Sequence, residues 1–166
     1  MISPRKIFIW LALGTLACQP GVPPSTGIMS ATQRTSIADS VQQAVNSFIA
    51  AAARADAVGT FSYFSRSPEF TAVDNATYYT SVDRLQSVYT QIYSTIRSQE
   101  IVTDRSKIVV LSPSAALVSS ILSFAAVDRA GNRSQPRPLG FTTVWVREPS
   151  GWKILHAHQS FTPGAP

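Results

Sequence analysis

Beyond Ser98 the chain changes period. From there to Phe161, four apolar and β-branched runs, Ile101 to Leu111, Ala115 to Val127, Leu139 to Arg147 and Trp152 to Phe161, are separated by turn-forming residues. The separators are Ser112-Pro113-Ser114, Arg129-Ala130-Gly131-Asn132 and Pro149-Ser150-Gly151. Four consecutive strands with no helical crossover imply antiparallel hairpins. The second run is apolar on both faces, with Leu117, Ile121, Ala125 and Val127 on one side and Val118, Leu122, Phe124 and Ala126 on the other. A sheet with one wet face would alternate with polar residues, so both faces need cover. Helices of the same chain can cover one, and a second copy of the sheet is the simplest cover for the other. A homodimer is therefore expected.

Ahead of the strands the period is helical. Between Thr35 and Ala55, Ile37, Val41, Val45, Phe48, Ile49 and Ala52 recur at steps of three and four, which predicts a long amphipathic helix. Asp56 can cap a short second helix carrying Val58, Phe61 and Phe64, ended by Ser65 to Pro68. Glu69 to Asp74 reads as a short strand. A third helix is expected from Thr80, capped by its hydroxyl with Asp83 three residues later, and burying Leu85, Val88, Tyr89, Ile92 and Ile96. Helices first and a strand meander afterwards is an α+β pattern, a curved antiparallel sheet packed on N-terminal helices. The 166 residues allow one such core.

The N-terminus reads as export machinery. Arg5 and Lys6 precede the apolar stretch Ile7 to Leu16, which is too short for a permanent span, and Ala17 precedes Cys18, the single cysteine. The arrangement resembles a lipoprotein signal, with Thr15 where that pattern has Leu. Residues 1–18 are thus expected to be a signal peptide and Cys18 its lipidated end, anchoring the protein to a membrane of the cell envelope through that lipid alone. The alternative is an ordinary leader cut near Ala17, giving a periplasmic or secreted protein. Residues 19–32, rich in Pro, Gly and Ser, read as a tether, residues 33–161 as the folded domain and residues 162–166 as a tail. The formal charge of +5 falls to about +3 once Arg5 and Lys6 are removed, and the remaining basic residues are scattered singly. That distribution excludes a nucleic-acid footprint. Two histidines and a lipidated cysteine make no metal site, and no cofactor is expected.

The closing stretch Thr142 to Ser160, TTVWVREPSGWKILHAHQS, resembles the end of SnoaL-like domains in the nuclear transport factor 2-like superfamily. It is also similar to the end of the association domain of calcium/calmodulin-dependent protein kinases. The order of elements over residues 33–161 fits the same scaffold, and the resemblance implies a cone-shaped curved sheet. That superfamily holds isomerases, cyclases, dehydratases, small-molecule binders and oligomerisation modules, so the fold alone does not choose among them.

Alternation along the last strand groups Trp152, Ile154, His156, His158 and Ser160 on one face, and Lys153, Leu155, Ala157, Gln159 and Phe161 on the other. If Trp152 looks into the cone, His156 and His158 do too, as a general base or hydrogen-bond partners of a ligand. The alternative is a pair of structural histidines. Asp74 is the carboxylate best placed to reach the cavity, or else it caps a turn with Asn75 and Thr77. Tyr63, Tyr79, Phe124, Trp145 and Trp152 complete the expected ligand wall, with plain core packing as the competing role. Three functions follow: a tethered binder of a small organic molecule, an isomerase- or dehydratase-like enzyme moving a proton with His158, His156 or Asp74, or a dimerising interaction module of the envelope. An open cavity without a histidine–carboxylate contact favours the first, such a contact the second, and a cavity filled by side chains the third.

Overall fold

The computed structural model describes residues 28–162. The leader, Cys18, most of the tether and the tail beyond Thr162 lie outside the described residues. The first helix, α1 (Ala31–Ala53), starts inside the expected tether. Its capping box explains the early start: Ser30 Oγ accepts from Gln33 N at 3.1 Å and Gln33 Oε1 accepts from Ser30 N at 2.9 Å, satisfying two donors that an uncapped helix leaves orphaned. Asp56 caps α2 (Ala57–Phe61) through Gly59 N at 2.8 Å.

Strand β1 (Thr71–Asp74) turns back at once into β2 (Thr77–Tyr79), a strand not anticipated from the sequence. The turn between them sets Asn75 and Ala76 at φ of 44° and 70°. Helix α3 (Val82–Thr95) is capped one residue later than expected, by Ser81 rather than Thr80. The four long strands follow as β3 (Ile96–Ser112), β4 (Ala115–Asp128), β5 (Arg137–Glu148) and β6 (Gly151–Phe161). Strand β3 leaves α3 without a connecting loop.

The six strands form one sheet in the order β2-β1-β6-β5-β4-β3. The expected antiparallel sheet is in fact mixed, since β1 lies parallel to β6, with Thr71 opposite His156 and Asp74 opposite Gln159. The segment between β1 and β6, containing α3 and four strands, serves as the crossover that a parallel pair requires. Register shifts interrupt β3 and the β5–β6 pair, so the sheet bends around the helices. In the β5–β6 pair Trp145 faces Ile154 while Val144 faces His156. Leu155 is therefore an extra residue, a bulge that reverses which side each later residue of β6 takes.

Helix α1 lays Val41, Val45, Phe48, Ala51 and Ala52 on the sheet. The Phe48 ring stacks on Phe141 and meets Phe64 and Trp145 edge-on, at centroid distances of 5.9 to 6.2 Å. Trp145 and Ile154 beneath it are fully buried. This end of the fold is solid, and the space between helices and sheet stays open only toward the other end.

Candidate functional site

That open space is a cavity of about 450 Å³ between α1, α2 and α3 on one side and the inner face of the sheet on the other. Phe48, Phe61 and Phe64 close its depth, while the exposed lining residues Asn75, Ile92, Ser134 and Arg137 mark its mouth. Most of the lining is hydrocarbon, from apolar side chains that the helices and the alternate positions of β3 to β6 aim inward.

A carboxylate-centred polar cluster interrupts it. Asp74 ends β1, Tyr89 comes from the buried stripe of α3, and Gln159 projects from β6 beside Asp74. Tyr89 Oη donates to Asp74 Oδ2 at 2.9 Å and Gln159 Nε2 donates to Asp74 Oδ1 at 2.9 Å. Gln159 Nε2 also donates to Tyr89 Oη, and Asn75 Nδ2 donates to Asp74 Oδ1 at 2.9 Å. Burial raises the Tyr89 hydroxyl far above the ordinary phenol range, and the Asp74 charge and the bond to it raise it further. Tyr89 is thus a fixed neutral donor, and its single hydrogen is spent on the carboxylate.

Hydrogen-bond accounting gives the cluster a polarity. Both amide hydrogens of Gln159 are engaged, one by Asp74 and one by Tyr89, and the Tyr89 hydrogen is engaged too. Spare capacity remains on Asp74 Oδ2 and Gln159 Oε1, both acceptors. Deeper in the lining, Thr60 Oγ1 is buried without a hydrogen-bond partner among the described residues. Its neighbour Tyr93 is also raised by burial, an effect that Gln99 partly offsets.

The expected site residues scatter. Asp74 reaches the cavity while also bonding Asn75 in the turn, so its two readings are compatible. Phe124 lines the wall and meets Phe161 edge-on at 5.4 Å. His156 and His158 do not line it, a correction that follows from the Leu155 bulge: beyond it Ala157, Gln159 and Phe161 face the cavity and the histidines face the opposite side of the sheet. There His156 Nδ1 pairs with Thr71 Oγ1 at 2.8 Å, and His158 is exposed opposite Thr142. Trp145 and Trp152 belong to the solid end, where their Nε1 groups donate to Thr143 Oγ1 at 2.8 Å and Ser40 Oγ at 2.7 Å. Tyr63 packs edge-on against Phe48, and Tyr79 is buried opposite Ala72. These four aromatics pack the core rather than the cavity wall. Among the described residues, no three His, Cys, Asp or Glu side chains gather as a metal site, and no helix is long and apolar enough to cross a membrane.

Tyr89 and Gln159 escaped the sequence reading, the first because it read as one of several core residues of α3, the second because uninterrupted alternation put it on the outer face. A buried tyrosine needs a partner for its hydroxyl, and that was the available signal.

Similar folds recur among solved structures. A nuclear transport factor 2-like superfamily protein of Salmonella enterica serovar Typhimurium superposes with a TM-score of 0.67 at 21% identity, covering 80% of this chain and 95% of its own. A protein of Novosphingobium aromaticivorans provisionally named scytalone dehydratase gives 0.69 at 11% identity, covering 81% and 89%. The association domain of C. elegans CaMKII gives 0.63 at 14% identity, covering 76% and 97%. No curated protein matches by sequence. Identities this low speak for the scaffold alone, but the family model described as SnoaL-like domain matches residues 41–163, most of the chain. With that match and the architecture in agreement, the chain belongs to the SnoaL-like domain family.

Proposed function

We propose that this chain binds a small, mostly apolar organic molecule in the cavity and orients it by hydrogen bonds to the Asp74–Tyr89–Gln159 cluster. The observation that carries the reading is that cluster itself, a single carboxylate-centred network on the wall of an open and mostly apolar space. A carboxylate is expensive to keep beside hydrocarbon, so its presence calls for a use. About 450 Å³ lies inside the range of roughly 300–1,000 Å³ usual for small-molecule sites. The absence of any contact between a histidine and a carboxylate among the described residues weakens the histidine-based enzyme reading.

The test is a thermal-shift screen of small apolar molecules against the mature protein and Asp74→Asn. A ligand at about a hundred times its dissociation constant should add about 2.7 kcal/mol of stability to the wild type. The variant, which puts donors where an acceptor is needed, should lose most of the effect. Equal shifts in both proteins, or none in the wild type, would refute it.

A second reading, an isomerase- or dehydratase-like enzyme, is favoured by the same carboxylate, which could take a proton from a bound substrate with Tyr89 and Gln159 holding it in place. The provisional name of the Novosphingobium relative belongs to the same class of reaction. Turnover of a screening hit, lost in Asp74→Asn while binding persists, would select it. A third reading makes the chain a dimerising module: Val102, Val109, Leu111 and Ile121 are exposed on β3 and β4. In all three the protein is exported, either held to the envelope by lipid on Cys18 or released as a soluble form. An acylated Cys18 at the N-terminus in mass spectra of membrane-extracted protein is the result expected of the first route.

A further inference from the structure

We infer that the ligand is an aromatic hydroxy acid that enters hydroxyl first and leaves its carboxylate at the mouth against Arg137. The inference rests on the cavity being a binding site and adds the polarity of what fills it.

The inner cluster can only accept. Every hydrogen on Tyr89 Oη and Gln159 Nε2 is directed at a neighbour within the cluster, so the free capacity is Asp74 Oδ2 and Gln159 Oε1. A ligand group that donates, such as a hydroxyl, is held there. An anionic group is rejected, because it would face the Asp74 carboxylate in surroundings too apolar to screen the repulsion.

The mouth has the opposite character. Arg137, the first residue of β5, is the cation among the lining residues, and its guanidinium stands 5.1 Å from the centre of the Phe161 ring. Its Nη2 donates to Thr162 O at 3.1 Å, and among the described residues no carboxylate pairs with it. The stacking and the carbonyl bond fix the guanidinium over the opening with other N–H groups free, a posture suited to a planar carboxylate. Gln159 and Phe161 are two residues apart on β6, about 7 Å along the strand, so a rigid ligand of about that reach or slightly more can touch both stations. The rings beside them, Phe124, Phe141 and Phe161, favour an aromatic body.

The experiment is a fluorescence titration of the mature protein with 6-hydroxy-2-naphthoate, 2-naphthoate and methyl 6-hydroxy-2-naphthoate, repeated with Arg137→Gln and Arg137→Lys. The hydroxy acid should bind about 5- to 10-fold tighter than either analogue, since each lacks one hydrogen-bonded or charged contact. Arg137→Gln should remove the advantage over the ester and leave the advantage over 2-naphthoate, and Arg137→Lys should restore part of the loss. Ester and acid binding equally to wild type would overturn the anionic mouth, and 2-naphthoate binding as tightly as the hydroxy acid would overturn the inner donor. Failure of all three probes while the screen yields other ligands would overturn the ligand class and leave the cavity reading standing. Failure of the screen as well would remove both.

Discussion

Replacing Tyr89 by Phe tests the cluster without any ligand. The change removes one hydrogen bond to a charged acceptor and leaves Asp74 held by Gln159 and Asn75. Such bonds contribute about 1.5–3 kcal/mol when fully buried, and Tyr89 is half-buried, so a loss of about 1–2 kcal/mol is expected near neutral pH. For a domain of this length that is a fall of about 4–7 °C in the thermal midpoint. The pH dependence is the sharper signature. The ordinary tyrosine value is 10.0, and burial, followed by Asp74, raises it in the folded state. Stability from such a group is fully present below the unfolded value and is lost as pH rises past it, because the unfolded chain releases the proton and the folded one retains it. Above pH 10 the wild type should therefore lose about 1.4 kcal/mol per pH unit through Tyr89. Tyr93, also raised by burial, contributes in both proteins and cancels in the difference. Urea unfolding followed by the fluorescence of Trp145 and Trp152 should show the wild type ahead by 1–2 kcal/mol at pH 8 and nearly level with Tyr89→Phe at pH 11. A difference that stays constant from pH 8 to pH 11 would refute the buried tyrosine–carboxylate pair.

Three further outcomes follow from the same geometry. Ala157→Leu adds bulk into empty space on the cavity wall and should change stability by no more than about 1 kcal/mol while abolishing ligand-induced thermal shifts; retained shifts would move the site elsewhere. His158→Ala should alter stability by less than about 0.5 kcal/mol and leave ligand affinity intact, since the residue is exposed on the face away from the cavity, and a weakened ligand in titration would contradict that placement. Ile121, 46% exposed on the outer face of β4, should be a contact of any sheet-to-sheet dimer, so Ile121→Lys should yield monomers in light scattering, and an unchanged mass would locate the interface elsewhere.

Much of this architecture was legible. The change from a period of three and four to a period of two near Ser98 separates helices from strands, and the turn residues delimit β4, β5 and β6 to within a few positions. What was not legible depends on partners distant in sequence. A three-residue strand such as Thr77–Tyr79 has too few positions to show a pattern, and the parallel pairing of β1 with β6 joins segments about eighty residues apart. The bulge at Leu155 has no local marker such as Gly, yet it alone decides that Gln159 faces the cavity and His158 does not. Asp74 was found because few carboxylates lie near the sheet. Tyr89 was not singled out, because its hydroxyl partner sits on another element.

The neighbours of β1 also govern when the cavity can exist at all. During synthesis α1, α2 and the β1–β2 hairpin emerge first, yet the hairpin's place in the sheet is beside β6, the last element made. Until Gly151 to Phe161 has joined β5, the early hairpin has no strand to dock on, and Asp74 and Tyr89 lack Gln159. Closing so long a loop is entropically slow, which places completion of the wall late in folding. A chain stopped a dozen residues short would keep most of its helices and three long strands while offering any ligand an unfinished cup.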